Sequence, residues 1–175
     1  MATTTNYGWT TPNDSDPFKD GALAMRTLGN AIDSTVASLN QGDVSYVRNT
    51  GAILNLTTAT ETSFMTSPAF TPKAGRLYEV TVTVGYHVKT TAVGNTTIRL
   101  RMNNVAGTVL DTFTFSAVPV NVYINYTRTV LLTSTQMGTS SFVPTITVQT
   151  NTNGYTIAND ATQPGAIIIK DIGAA

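Results

Sequence analysis

The sequence predicts a mainly β protein, a jelly-roll-like antiparallel β-sandwich preceded by an extended N-terminal arm and one amphipathic α-helix. Three observations carry this prediction. Apolar residues recur at helical spacing only before Gly42, and beyond it the spacing falls to two, in short runs separated by Gly, Pro and Asn turns. Threonine supplies 34 of the 175 residues, with Val, Ile and Tyr also frequent, and such residues favour a pleated, half-buried surface over a helix. Finally, the strand-like runs follow one another without crossover helices, which excludes α/β units and leaves a sandwich or barrel.

The arm comes first. Tyr7 and Trp9 stand in a stretch of Thr, Asn and Pro where no regular element is expected to bury them. Each ring is a large apolar body with a polar tip, suited either to docking against another protein or to packing on the chain's own body. The helix follows. The Asp16 carboxylate can accept the free N–H groups of a first turn, and Pro17 suits the first helical position, where no N–H is needed. Phe18, Met25, Ile32 and Leu39 recur every seven residues, and Ala22, Leu28 and Val36 widen the stripe. Lys19, Arg26 and Asp33 flank it, and Gly42 is a reasonable stop. The stripe fits packing on the β-domain or on a neighbouring subunit. A coiled-coil seam is the other reading, although its alternate core positions are Gly21, Leu28 and Thr35, of which only Leu28 is a strong core residue. These residues place an arm and helix at 1–42 and a β-sandwich domain at 43–175.

Strands are expected at 44–48, 53–56, 60–65, 76–89, 96–102, 108–115, 120–132, 142–150, 155–158 and 166–172. The clearest is 76–89, which puts Tyr78, Val80, Val82, Val84, Tyr86 and Val88 on one face and leaves His87 on the more polar one. Its length and that of 120–132 suggest central strands, whereas Pro144 marks the start of 142–150 as an edge or bulge. The run Ile167-Ile168-Ile169 is apolar on both faces, so one face would meet the core and the other a second subunit.

Composition narrows function. Ten basic residues balance ten acidic ones and only 11% of residues are charged, so no net field draws the chain to nucleic acid or an anionic membrane. No apolar run approaches the ~18 residues of a membrane span, and the N-terminus lacks a basic region followed by an apolar stretch. There is no cysteine, which removes disulfides and thiolate chemistry together. His87 is the only histidine, and no motif gives it a nucleophile or an orienting acid. Asp14, Asp16 and Asp20 lack the glycine and terminal glutamate of a calcium loop, and helix capping accounts for Asp16. With no phosphate loop or nucleophile elbow either, the sequence points to a protein that is not an enzyme and needs no cofactor and no metal.

The segment Thr5-Asn6-Tyr7-Gly8-Trp9, then Pro12, Asp14, Asp16, Lys19-Asp20-Gly21-Ala22, Met25-Arg26-Thr27-Leu28-Gly29 and Ala31-Ile32-Asp33, resembles the N-terminal motif of small virion structural proteins of tailed bacteriophages. Ile169-Lys170-Asp171-Ile172-Gly173 is similar to the closing Glu-Asp-Ile-Gly of many of them. Pro17-Phe18 and Lys170 depart from the usual pattern without disturbing the helix or the last strand. The resemblance implies a virion protein whose N-terminal motif binds the major capsid protein or another virion protein, while a jelly-roll body projects, commonly as a homotrimer. A capsid decoration or cement protein is the first expectation. A tail-fibre or baseplate component that binds a host-surface glycan is the alternative, with a soluble ligand-binding module behind both. The residues expected to make attachment or oligomer contacts are Tyr7, Trp9, Phe18, Met25, Leu28, Ile32 and Leu39.

Overall fold

The computed structural model describes residues 2–5, 7–11, 17–38, 42–56, 59–151 and 154–175. The chain divides into two compact units, Met1–Asn40 and Gln41–Ala175.

In the first unit the arm is not simply extended. Strands β1 (Ala2–Thr3) and β2 (Thr10–Thr11) pair antiparallel, with Ala2 opposite Thr11 and Thr3 opposite Thr10. The turn is closed by Thr4 N–H donating to the Trp9 carbonyl at 2.9 Å and Gly8 N–H to the Thr4 carbonyl at 3.0 Å. Gly8 takes φ +64°, a conformation that glycine adopts without penalty. Helix α1 spans Phe18–Ser38, and Asp20 N–H bonds the Pro17 carbonyl at 2.9 Å, so Pro17 stands at its threshold. The expected N-cap Asp16, with Asp14, lies outside the described residues, as does Leu39. Gly42 does not follow the helix as a cap; it opens the first strand of the second unit.

That unit contains β3 (Gly42–Asn49), β4 (Ile53–Leu56), β5 (Thr62–Thr66), β6 (Arg76–Lys89), β7 (Gly94–Met102), β8 (Val109–Val118), β9 (Ile124–Thr133), the single-turn α2 (Ser134–Met137), β10 (Pro144–Thr150), β11 (Tyr155–Ala158) and β12 (Gly165–Ala174). They form two antiparallel sheets: a four-stranded one in the order β5-β10-β7-β8, and a larger one in the order β3-β12-β6-β11-β4, to which β9 adds by pairing with β6. The fold is a mainly β, jelly-roll-like sandwich, as the alternation predicts. Its core comprises Tyr78, Val80, Val82 and Val84 of β6, Ile167 and Ile169 of β12, Ile98 and Leu100 of β7, and Ile146 and Val148 of β10. Each fully buried aliphatic side chain of this kind stabilises by about 1.5–3 kcal/mol.

The topology corrects three expectations. First, β9 pairs with β6 alone and is not central. It also starts at Ile124 instead of Val120, because Asn121 adopts φ +60° and breaks the run after Pro119. Second, β10 is not an edge but an inner strand between β5 and β7, although its pairing with β5 does shift register between Ile146 and Thr147, near the start where an edge or bulge is expected. Pro144 is tolerated there because it is the first residue of the strand. Third, His87 is fully buried. The alternation of β6 holds from Tyr78 to Val84, but the register with β9 then shifts between Val84 and His87. This bulge turns His87 and Lys89 inward.

The bulge is held by Asn159, itself buried, whose Oδ1 accepts the Gly85 N–H at 2.9 Å. A side chain on Gly85 would strike the Gln163 carbonyl and stand 2.8 Å from that of Ala158. Both obstacles are backbone, so Gly85→Ala is expected to cost about 1–3 kcal/mol by overpacking. A urea titration checks this, and an unchanged midpoint would reject the close approach. Along β12, Ile167 and Ile169 point into the core, whereas Ile168 stays half-buried on the outer face between Tyr46 of β3 and Thr81 of β6.

Candidate functional site

Among the described residues, two surfaces and one buried cluster gather polar and aromatic side chains. The first surface belongs to the N-terminal unit. Trp9 is half-buried, and its indole Nε1–H donates to Thr35 Oγ1 at 3.0 Å. Thr35 in turn donates to the Ala31 carbonyl at 2.9 Å. Trp9 thus packs in part on the chain's own helix. Tyr7 stacks on Trp9, with ring centroids 5.0 Å apart and planes 16° from parallel, and remains 59% exposed.

The helix shows which of its rows is covered. Gly21, Ala24, Leu28, Ala31 and Thr35, spaced three and four apart, are buried or half-buried. Apart from Leu28 these side chains are small, which leaves room for an indole to approach. Met25 and Ile32 lie off this row and are 61% and 37% exposed, with Leu23 and Val36 also exposed. Among the expected contact residues, Tyr7, Met25 and Ile32 thus offer free apolar surface, Trp9 and Leu28 are partly engaged within the chain, and Phe18 begins the helix. Leu39 is outside the described residues.

The second surface is the outer face of the four-stranded sheet. Gln149 of β10, Thr97 of β7 and Thr114 of β8 stand side by side in register. The Thr97 and Thr114 hydroxyls share a hydrogen bond of 3.1 Å, and Gln149 Nε2 donates to the Ala59 carbonyl at 3.0 Å. With Asn95 and Asn151 at the strand ends, and with Ala59 and Thr150, they line a groove of about 310 Å³.

Beside the groove, Glu61 is held by two arginines. Arg101 Nε and Nη2 reach its two oxygens at 2.6 and 2.8 Å, Arg99 Nη1 reaches Oε2 at 2.9 Å, and the Thr147 hydroxyl also donates to it. Burial pushes the Glu61 carboxyl up, but Arg101, Thr147 and Arg99 together hold it below its usual value. Arg99 further donates to Gln149 Oε1 at 3.1 Å, which fixes the amide at the groove floor.

The buried cluster forms where the β6 bulge meets β11. His87 Nδ1 and the Tyr155 hydroxyl are 2.7 Å apart, and His87 packs edge-on against Phe115 with centroids 4.4 Å apart. Lys89 Nζ donates to the Thr150 hydroxyl and lies 5.1 Å from the centre of the Tyr155 ring. Burial, and then the neighbouring Lys89 charge, lower the His87 pKa to about 4. Burial also lowers that of Lys89 and raises that of the Tyr155 phenol. His87 is therefore a neutral core residue at physiological pH, closed off from any solute.

Sequence reasoning missed the groove, because its members come from four separate stretches between Ala59 and Asn151 that meet mainly through strand register. It missed the cluster because alternation alone does not reveal a bulge. The glycine at 85, within an otherwise alternating strand, was the available signal.

No protein-family model matches the chain, and no curated protein matches it. Among solved structures, it is similar to the VP2 subviral particle of infectious bursal disease virus at 7% identity and a TM-score of 0.45, over 79% of this chain and 38% of that one. It thus spans less than two fifths of the length of the capsid chain. It is also similar to the disulfide-linked pili of Bacillus endospore appendages, at 15% identity and a TM-score of 0.33, over 76% of this chain and 92% of that one. A third likeness is to the C-terminal CBM6 of LamC from Zobellia galactanivorans, at 12% identity and a TM-score of 0.34, over 74% and 99% of the two chains.

Proposed function

We propose that this chain is a non-enzymatic structural protein of a tailed bacteriophage virion, attached through its N-terminal unit and displaying the β-sandwich at the particle surface. The observation that carries the reading is the exposed apolar row of α1, Met25 and Ile32, set beside the Tyr7–Trp9 stack. These residues belong to the phage-like motif, and an exposed row of this kind on a helix favours a protein partner. The partner we assign is the major capsid protein, which makes the chain a decoration or cement protein. The sandwich offers Ile168, Tyr46 and Leu131 on the outer face of the larger sheet as contacts for a homotrimer. A tail location with glycan binding is the second reading, favoured by the groove on the four-stranded sheet, whose lining residues carry amides and hydroxyls.

Mass spectrometry of purified virions separates the two locations. A lattice-covering protein reaches hundreds of copies per particle, and a copy number in the tens or below would overturn the capsid assignment. On particles stripped of the protein, Trp9→Ala is expected to weaken rebinding at least ~10-fold, because the indole that supports Tyr7 is a hot-spot type of residue. Rebinding at wild-type strength would sink the attachment role of the arm.

A further inference from the structure

The geometry points to the groove on the four-stranded sheet as a binding site for a neutral, hydroxyl-rich saccharide, with Asn95, Asn151, Thr97 and Thr114 as the residues that hold it. The inference does not depend on where the N-terminal unit attaches, and its failure would leave the attachment reading untouched.

The first argument is the orientation of the two asparagines. Asn95 Oδ1 accepts the Ala117 N–H at 3.0 Å, and Asn151 Oδ1 accepts the Asn95 N–H at 2.7 Å. Each acceptor faces a backbone donor, so neither amide can be turned over without losing a bond and bringing two donors together. The backbone repeats the clamp, since Asn151 N–H donates to the Asn95 carbonyl at 3.2 Å. With both carbonyl oxygens committed, the Nδ2 groups are left to present donors at the groove. The Thr97–Thr114 pair adds two hydroxyls that share one hydrogen bond and keep further donor and acceptor capacity.

The second argument is the character of the lining. Ala59, Asn95, Thr97, Thr114, Gln149, Thr150 and Asn151 include no charged side chain. The nearest guanidinium, Arg99, is engaged by Glu61 and Gln149. An anionic ligand would find no charged lining residue, and the carbon surface there is made of methyl and methylene groups set among amides and hydroxyls. Sugar hydroxyls both donate and accept, and so match fixed amide donors and hydroxyls in a way that neither other class does. The volume of about 310 Å³ lies at the small end of ligand sites, which suits a mono- or disaccharide unit of a longer chain. Because the amides are already fixed, binding pays little to order them.

The test uses the full-length chain and NMR titration with maltotriose, cellobiose, lactose, mannobiose and N,N′-diacetylchitobiose as neutral probes, beside sialyllactose and a heparin tetrasaccharide. The expected result is that at least one neutral probe shifts the backbone signals of Asn95, Thr97, Thr114 and Asn151. The double variant Asn95→Asp/Asn151→Asp keeps the Oδ1 acceptors and removes the donors, and should weaken that binding at least ~10-fold. Thr97→Val/Thr114→Val, which leaves the asparagine clamp intact, should also weaken it, and Thr127→Ala on the other sheet should not. The proposal is overturned if no neutral probe shifts these signals, if only the charged probes bind, or if either double variant with an unchanged melting temperature binds like the parent.

Discussion

Replacing Asp171 with alanine is expected to lower the stability of the β-unit by about 3–5 kcal/mol, the range for removing one member of a buried ion pair. Arg76 Nε reaches the two carboxylate oxygens of Asp171 at 2.9 and 3.1 Å, and Nη2 lies 2.7 Å from Oδ1. The side chains are only 13% and 2% exposed. Asp171 Oδ1 also accepts the Gly173 N–H at 3.2 Å, within the register shift between β12 and β6. The variant thus leaves a guanidinium with little water and removes the clamp on the bulge. Guanidinium chloride unfolding of the single variants and of Arg76→Met/Asp171→Leu measures the effect. The double variant should recover much of the loss, because an apolar pair carries no unpaired charge. A cost below about 1 kcal/mol for Asp171→Ala would mean that the pair behaves like an exposed one.

Acid should weaken the fold through His87. Its pKa is 6.5 in a free chain and about 4 in the folded one. Between these values the unfolded chain binds a proton that the native state excludes, so stability is full above pH 6.5, falls as the pH drops, and stops falling from this source below pH 4. The gap is equivalent to about 3 kcal/mol. Protonation would place a second cation beside Lys89, with the Tyr155 phenol the facing polar group. Urea midpoints at pH 7.5, 6, 5 and 4.5 should decline progressively for the parent chain. They should change much less for His87→Gln, which cannot take up the proton. Parallel profiles for the two would assign the acid sensitivity to other groups.

The fold was largely legible because period-two alternation reports directly on a two-faced strand. The bounds of β4, β6 and β11 agree with the alternating runs, and only the ends of the others move. What alternation does not encode is pairing order, which is why the expected central strand 120–132 lies beside β6 alone and the start of 142–150, expected at an edge or bulge, belongs to an inner strand. The turn α2 could have been read from Thr133 and Gln136, which form a capping box in the structure. For the candidate sites, the helix pattern identified an apolar row but not which row stays free. That depends on Trp9 reaching Thr35 across 26 positions of sequence, a contact set by tertiary packing. The closing motif gains a physical meaning here, since Asp171 and Gly173 form the clamped bulge that accommodates Arg76.

The place of β12 bears on how the protein is made. This strand lies between β3 and β6, and its residues leave the ribosome after those of both neighbours. Until Ile167 and Ile169 emerge, β3 has no partner and the larger sheet holds an open slot at its centre. The chain must therefore wait in a partly paired state during synthesis, with strand edges exposed to other nascent copies. Closure waits on residues 165–174, so a chain cut short before residue 165 would lack an inner strand and the means to complete its core.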